Sequence, residues 1–400
     1  MSTLRGADVN VDVDVNVDVD LDVNVDLDVN LYPTRAEKLP RSRQYEICRQ
    51  RGLVYPARMK RLLAIAAVLS TVGLAPINSQ LAERAATAAP AAKPLRIGFS
   101  DWPGWTAFEI GIQKGWFKEA GVDVQFDWFE YAPSMEAFAA GKVDAVMMTM
   151  GDALVTGAPG ARSVAILVTD YSNGNDMIVA KKGVDSIKAL KGKSVGLETG
   201  LVEHLMLTKA LEKNGLKISD VKLVNVPTHQ TAQTLASGNV DAIGAWQPNA
   251  GQALKAVAGS KAIFTSADLP GLIYDLVCVN PQSLKQRRAD WVKVVKVWNR
   301  IATFVKDPAH QAEAVKIMAG RAGVPPEEYA KFMPGTRFLT PEEALKRFTP
   351  SDTLDSLLGS GKVADKFNVE NKVYKDPQPI AKYIDGSLSK EALAKELVAK

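Results

Sequence analysis

FAAGKVDAVMMTMGDA at residues 138–153 and LASGNVDAIGAWQPNA at residues 235–250 follow one plan. Each is a helix end, a glycine, the tripeptide Val-Asp-Ala, an apolar run and a polar loop. Outward from these copies the match continues. LRIGFS (95–100) precedes the first as SVGLET (194–199) precedes the second, each a strand leading through a loop into a helical pattern. Between them, KEAGVDVQF (118–126) and EKNGLKISDVKLV (212–224) break at Gly121 and Gly215, where a helix stop is expected because glycine takes left-handed backbone at no steric cost. Strand, helix, strand, helix, strand, twice over, predicts an α/β chain of two lobes with mainly parallel sheets. The aspartates of the tripeptides, Asp144 and Asp241, read as structural because both copies keep them just before a strand.

The repeat sets the expected domain organisation. Residues 93–180 with 277–400 form lobe 1, and residues 181–276 form lobe 2, inserted into it. MIVAKKGV (177–184) and LIYDLVCVN (272–280) read as the two crossings between lobes. Two lobes on two crossings can close about a hinge. From residue 289 onward the pattern is helical, with Trp291, Val294, Val295, Trp298, Ile301 and Val305 at core spacing, and this tail is expected to pack on lobe 1.

The first 92 residues carry none of this pattern. Residues 8–31 alternate Asp or Asn with Val or Leu without a turn residue or an aromatic. Asp and Asn differ by one base, as do Val and Leu, so a translated six-base repeat accounts for this stretch, and residues 1–58 read as a low-complexity leader translated by accident. Asp12, Asp14 and Asn16 imitate the start of a calcium loop, but Val17 and Val23 stand where that loop needs Gly and Glu. Met59 begins a secretion signal, residues 59–88: Lys60 and Arg61, the apolar run LLAIAAVLSTVGLA, then small residues with Ala86-Thr87-Ala88 as a cleavage site. No cysteine follows the apolar run to take a lipid, so a soluble periplasmic protein is expected. Cys48 and Cys278 offer neither a disulfide framework nor a cysteine metal site. The whole chain has net charge +4, and residues 1–88 hold 11 basic and 11 acidic residues, so the remainder keeps +4. With no basic run, nucleic acid is not an expected partner.

In open α/β sheets, ligands sit beyond the carboxyl ends of the strands. Six loops qualify: SDWPGW (100–105), TMGDA (149–153), DYSNGND (170–176), ETG (198–200), AWQPN (245–249) and IYD (273–275). Together they hold Asp101, Asp152, Asp170, Asp176, Glu198 and Asp275, five aromatic rings, and no Lys or Arg. Anion receptors offer positive charge or free backbone N–H groups. Acid and aromatic faces suit a cation, through cation–π contacts of about 0.5–2 kcal/mol each and paired hydrogen bonds to a flat guanidinium. The expected ligand-binding residues are Asp101, Trp102, Trp105, Thr149, Gly151, Asp152, Tyr171, Asn173, Glu198, Thr199, Trp246, Gln247 and Asp275. Asp101 and Asp152 have a second reading as helix N-caps, and Trp105 as a packing residue.

GIQKGWFKEAGVDVQF (111–126), followed by the two Val-Asp-Ala strands, resembles the substrate-binding proteins of ABC importers in the nitrate, sulfonate and taurine group, which includes SsuA and THI5/NMT1-like proteins. SDWPGW, YSNGNDMIVA (171–180) and GAWQPN (244–249) resemble the branch associated with urea carboxylase and guanidine. The resemblance spans residues 93–385. It implies a type II-like, two-lobed periplasmic-binding-protein fold, a monomeric receptor, a small-molecule ligand without cofactor or metal, and a membrane permease with its ATPase as partners. Guanidinium or a related cation is the favoured ligand, with taurine, an alkanesulfonate or nitrate as the alternative. The chain has no ATPase loop of its own, since Ile187 replaces the first glycine before LKGKS and Val363 follows Lys362. An enzyme on this fold, such as the THI5-like pyrimidine synthase, is the reading from another class. His204, His229, His310 and Cys278 are its only His and Cys candidates in residues 93–400, and no nucleophile elbow or zinc spacing accompanies them.

Overall fold

The computed structural model describes residues 93–398. The stretches expected to be a leader (1–58) and a secretion signal (59–88) lie outside the described residues.

Among the described residues, eleven strands form two sheets. The first sheet is ordered β11-β4-β10-β3-β1-β2, from β1 (Leu95–Phe99), β2 (Val124–Trp128), β3 (Ala145–Thr149), β4 (Val164–Ser172), β10 (Tyr274–Val279) and β11 (Thr336–Phe338). The second is ordered β7-β6-β8-β5-β9, from β5 (Asp176–Ala180), β6 (Ser194–Leu197), β7 (Lys222–Asn225), β8 (Ala242–Trp246) and β9 (Lys261–Thr265). β3 and β8, the apolar runs of the repeat, are central strands buried along their whole length. Residues with no polar face can be strands only where both sides are covered.

The two copies are equivalent in register. β1 pairs parallel with β2 and β3, and β6 with β7 and β8. Asp144 Oδ2 accepts the N–H of Arg96 at 2.9 Å, and Asp241 Oδ2 accepts that of Ser194 at 2.9 Å. Each tripeptide aspartate therefore ties the first strand of its repeat copy to the third, β1 to β3 and β6 to β8. Gly121 and Gly215 take φ of 67° and 76°, ending their helices in the left-handed region.

Two expectations are corrected. The sheets are mixed: β10 runs antiparallel between β3 and β4, and β5 antiparallel between β8 and β9. The runs expected to be crossings are these strands. β5 already belongs to the second sheet although residues up to 180 were expected in lobe 1, and β10 belongs to the first although residues up to 276 were expected in lobe 2. The crossings are the short segments between β4 and β5 and between β9 and β10. They are clasped to each other, Ser172 Oγ to Ser266 Oγ at 2.6 Å, with the Gly174 N–H donated to Ser266 Oγ at 2.7 Å.

The helix Arg288–Lys306 lays Trp291 and Trp298 into the core of the first lobe, Trp298 stacked on Phe108 at 4.6 Å. The helix Leu357–Glu370 packs on the helix Met150–Gly157 and meets the second lobe where the His204 ring stands edge-on to Phe367, 4.9 Å away.

Candidate ligand-binding cleft

The antiparallel strands are what bring acid into the cleft. β5 and β10 begin where β1, β3, β6 and β8 end, so their first residues face the loops that follow the parallel strands. Asp176 opens β5, and Tyr274 and Asp275 open β10.

A small cavity of about 10 Å³ lies there, lined by Trp102, Trp105, Tyr131, Thr149, Asp176, Val202, Trp246, Ile273 and Asp275. Its walls are rings. Trp105 stacks on Tyr131 at 5.7 Å, and Tyr131 meets Trp246 edge-to-face at 5.2 Å. Both lobes contribute: Trp102, Trp105, Tyr131, Thr149 and Asp275 from the first, Asp176 and Trp246 from the second sheet.

The carboxyl groups fall into two sets. One is bonded within the protein. Asp101 accepts the Trp246 indole N–H at 2.9 Å and the Asn249 amide at 2.7 Å, joining the loop after β1 to the loop after β8 across the cleft. Asp152 Oδ2 accepts the Tyr131 hydroxyl at 2.6 Å and the Thr149 hydroxyl at 3.0 Å, while the Thr149 N–H is donated to Tyr131 Oη at 3.1 Å. Burial raises Asp101, and it pushes Asp152 up to about 6 despite those donors.

The other set is buried and under-partnered. Asp170 and Asp275 face each other in register across β4 and β10, and Asp176 lies beside Glu203 on the helix Val202–Lys213. Asp170 Oδ1 accepts the Trp102 indole N–H at 2.9 Å, but Asp170 Oδ2, Asp176 Oδ2, Asp275 Oδ2 and both Glu203 oxygens have no donor from outside the two carboxyl pairs. Among the described residues, no Lys or Arg forms an ion pair with any of these carboxyls. Burial, reinforced by neighbouring carboxyls, lifts Asp275 and Glu203 well above the usual carboxylate range, and burial brings Asp170 to about 6 and Asp176 to about 7. Gly104 permits the close approach of this set, since a Cβ there would stand 2.1 Å from Asp170 Oδ2. Among the described residues, no group of three or more His, Cys, Asp or Glu side chains is arranged to hold a metal ion.

Of the expected residues, Trp102, Trp105, Thr149, Trp246 and Asp275 line the cavity. Asp101 and Asp152 stand behind it, and neither is an N-cap: Thr149 caps the helix Met150–Gly157, and Asp152 sits in that helix's first turn. Glu198 accepts the Thr228 N–H at 3.2 Å near the mouth, and burial pushes it up to about 7. The others serve the fold. Gly151 abuts Ala364, Tyr171 packs edge-on to Tyr274 at 5.9 Å, and the Asn173 N–H is donated to Gly335. The Thr199 N–H is donated to Asn225 Oδ1, and Gln247 Oε1 accepts the N–H of Gly251. His204 Nδ1 accepts the Gly200 N–H away from the lining.

Tyr131 and Glu203 were not among the expected residues, and Asp176 was counted among the loop carboxyls without being named as ligand-binding. Tyr131 follows β2, a strand of the repeat whose loop was not counted. Asp176 resembles a turn residue after Gly174, and Glu203 a first-turn acid stabilised by its helix dipole.

Comparison with known proteins places this geometry. A family described as NMT1-like matches residues 88–319, more than half of the chain. The chain belongs to the NMT1-like family. One relative of this NMT1-like chain, described as a binding protein in Brucella abortus (strain 2308), is 28% identical over 204 residues, 48% of this chain and 63% of its own length. The match thus spans less than two thirds of that relative. The arginine-binding extracellular protein ArtP of Bacillus subtilis (strain 168) is 28% identical over 115 residues, 28% of this chain and 43% of its own. Among solved structures, the alkanesulfonate-binding protein SsuA from Xanthomonas axonopodis pv. citri, bound to MOPS, superposes with a TM-score of 0.62 at 16% identity. That match covers 74% of this chain and 99% of SsuA, and it shows that the two-lobed fold is shared.

Proposed function

We propose that this chain is the periplasmic receptor of an ABC importer and traps a small planar nitrogen cation, guanidinium foremost, between its lobes. The observation that carries this reading is the pairing of Asp176 and Asp275. One stands on each sheet, both line an aromatic-walled cavity, and each keeps an oxygen with no donor from outside the carboxyl pairs. A buried acceptor with no donor costs about 1–3 kcal/mol, and more when charged. A ligand with N–H groups on its edges and positive charge removes that cost on both sheets at once. Guanidinium has such edges on all sides of a flat cation, and its faces can lie against Trp102, Trp105, Tyr131 and Trp246.

The relative described as a binding protein supports a receptor, and the ArtP name puts a solute bearing a guanidinium among the ligands of relatives. The permease and its ATPase, the periplasmic site and a monomeric state follow from the same reading. The SsuA name offers alkanesulfonate as the rival ligand class, but an anion would meet the orphaned oxygens of Asp176 and Asp275 with no positive side chain beside them.

The test is a thermal-shift titration of the chain with guanidinium chloride at low, non-denaturing concentration, beside urea, agmatine, taurine, an alkanesulfonate and nitrate at matched ionic strength. A ligand that binds only the folded state raises the melting temperature with its occupancy. A rise with guanidinium and none with the anions is expected; a rise with taurine or sulfonate alone overturns the reading. Mass spectrometry of the recovered ligand separates receptor from enzyme, since a receptor returns it unchanged.

A further inference from the structure

The cleft holds more carboxyl groups than a single cation can neutralise. Asp170, Asp176, Glu203 and Asp275 are each at least 98% buried, and five of their oxygens have no donor from outside this group. They are ordered as two pairs. In the first lobe Asp275 lines the cavity with Asp170 beside it on the neighbouring strand; in the second, Asp176 lines it with Glu203 beside it on the following helix. Two buried carboxyls in contact cannot both be ionised, and the favourable state is one proton shared between them.

Resting on the cation-receptor reading above, we propose that the cleft takes up its ligand in exchange for a proton. Each lobe supplies one carboxyl pair, Asp170–Asp275 or Asp176–Glu203, and the entering cation displaces a proton from these pairs. The exchange balances charge: one monovalent cation enters and one proton leaves to solvent.

The groups that face these pairs leave no other source of compensation. Asp152 faces them from the helix Met150–Gly157, Tyr131 from the helix Tyr131–Ala139, Glu198 from the end of β6 and Asp101 from the loop after β1. All are acids or a phenol. The neighbouring imidazole, His204, is pushed down to about 4 by burial and stays neutral. His229 Nδ1 pairs with Glu130 at 3.0 Å. The raised values of Asp170 and Asp176, about 6 and about 7, agree with protons held on both pairs near neutrality.

Isothermal titration of the full chain with guanidinium chloride between pH 5.5 and 8.5, in buffers of different ionisation enthalpy, tests the exchange. Affinity should rise with pH, approaching tenfold per unit on the acid side for one proton released, and level off on the alkaline side. The measured heat should depend on the buffer, corresponding to about one proton per ligand at pH 6. Glu203→Gln, which removes the titrating partner of Asp176, should lower the proton count by at least half, and Asp170→Asn should do so at the other pair if the second lobe's variant fails to fold. An affinity constant within twofold across this range, with heats independent of buffer, overturns the exchange and leaves the receptor for guanidinium standing. Binding of a sulfonate or nitrate, with no binding of guanidinium at any pH, overturns both.

Discussion

The chain holds guanidinium groups of its own on its surface, and the contrast with the cleft is instructive. Arg300 lies 4.1 Å above the ring of Trp116 and pairs with Glu119 at 2.8 Å; Arg321 lies over both Phe99 and Trp128, at 4.8 and 4.7 Å. Ring and carboxylate hold a flat cation there, half in water. In the cleft the same two ingredients recur, with more rings, deeper burial and no arginine. At the surface the chain completes the arrangement itself and gains little, because water screens the pair. On the proposed reading, the incoming cation completes the arrangement in the cleft, where burial makes its charge worth more than at the surface.

The largest expected effect that would sharpen this contrast is Asp176→Asn or Asp275→Asn. Each should weaken guanidinium binding at least about thirtyfold, the cost of removing one partner of a buried, hydrogen-bonded charge pair. Calorimetric titration decides it, and a change below threefold for both would break the comparison. Next is Trp246→Ala, which removes a ring and the N–H that joins Asp101 to the second lobe. A loss of about tenfold or more is expected, whereas Trp246→Phe should keep part of the affinity because a ring remains.

Tyr131→Phe should act mainly on stability. It leaves the wall intact but strips a donor from Asp152 and an acceptor from the Thr149 N–H, at a cost of about 1–3 kcal/mol read from denaturant unfolding. The ligand-free chain should also lose stability as the pH rises through the range from about 4 to about 7. Asp152, Asp170, Asp176 and Glu198 bind protons more tightly folded than unfolded there, so raising the pH favours the unfolded state. Melting temperature against pH, with and without guanidinium, measures this, and the ligand should flatten the decline. The smallest effect belongs to Glu119→Gln: less than about 1 kcal/mol of stability and no change in affinity.

The fold was legible where the sequence repeats itself. Val-Asp-Ala before an apolar run marks β3 and β8, and the glycines after the helices mark their ends. β5 and β10 were less legible, because MIVA and LVCV are short apolar runs whose periodicity does not say which neighbour they pair with. Their direction is a tertiary fact, and it puts Asp176 and Asp275 into the cleft. Trp102, Trp246 and Asp275 could be singled out because aromatic and acidic residues cluster at strand ends. Tyr131 and Glu203 could not, since each begins a helix whose first turn ordinarily carries such residues for local reasons. That Asp101 bonds to Trp246, and Asp152 to Tyr131, instead of capping helices, follows from loop positions that no local pattern encodes.

The clasped crossings also bear on the order in which the molecule can be made. The second sheet is drawn from one unbroken stretch, Asp176–Thr265, whose two ends are brought together by Ser172 and Ser266. The first sheet must wait for β10 and for β11, near the far end of the chain. On a chain synthesised from its amino terminus, the inserted lobe has all its strands before the lobe that surrounds it. The earlier strands β1 to β4 emerge first and are completed last.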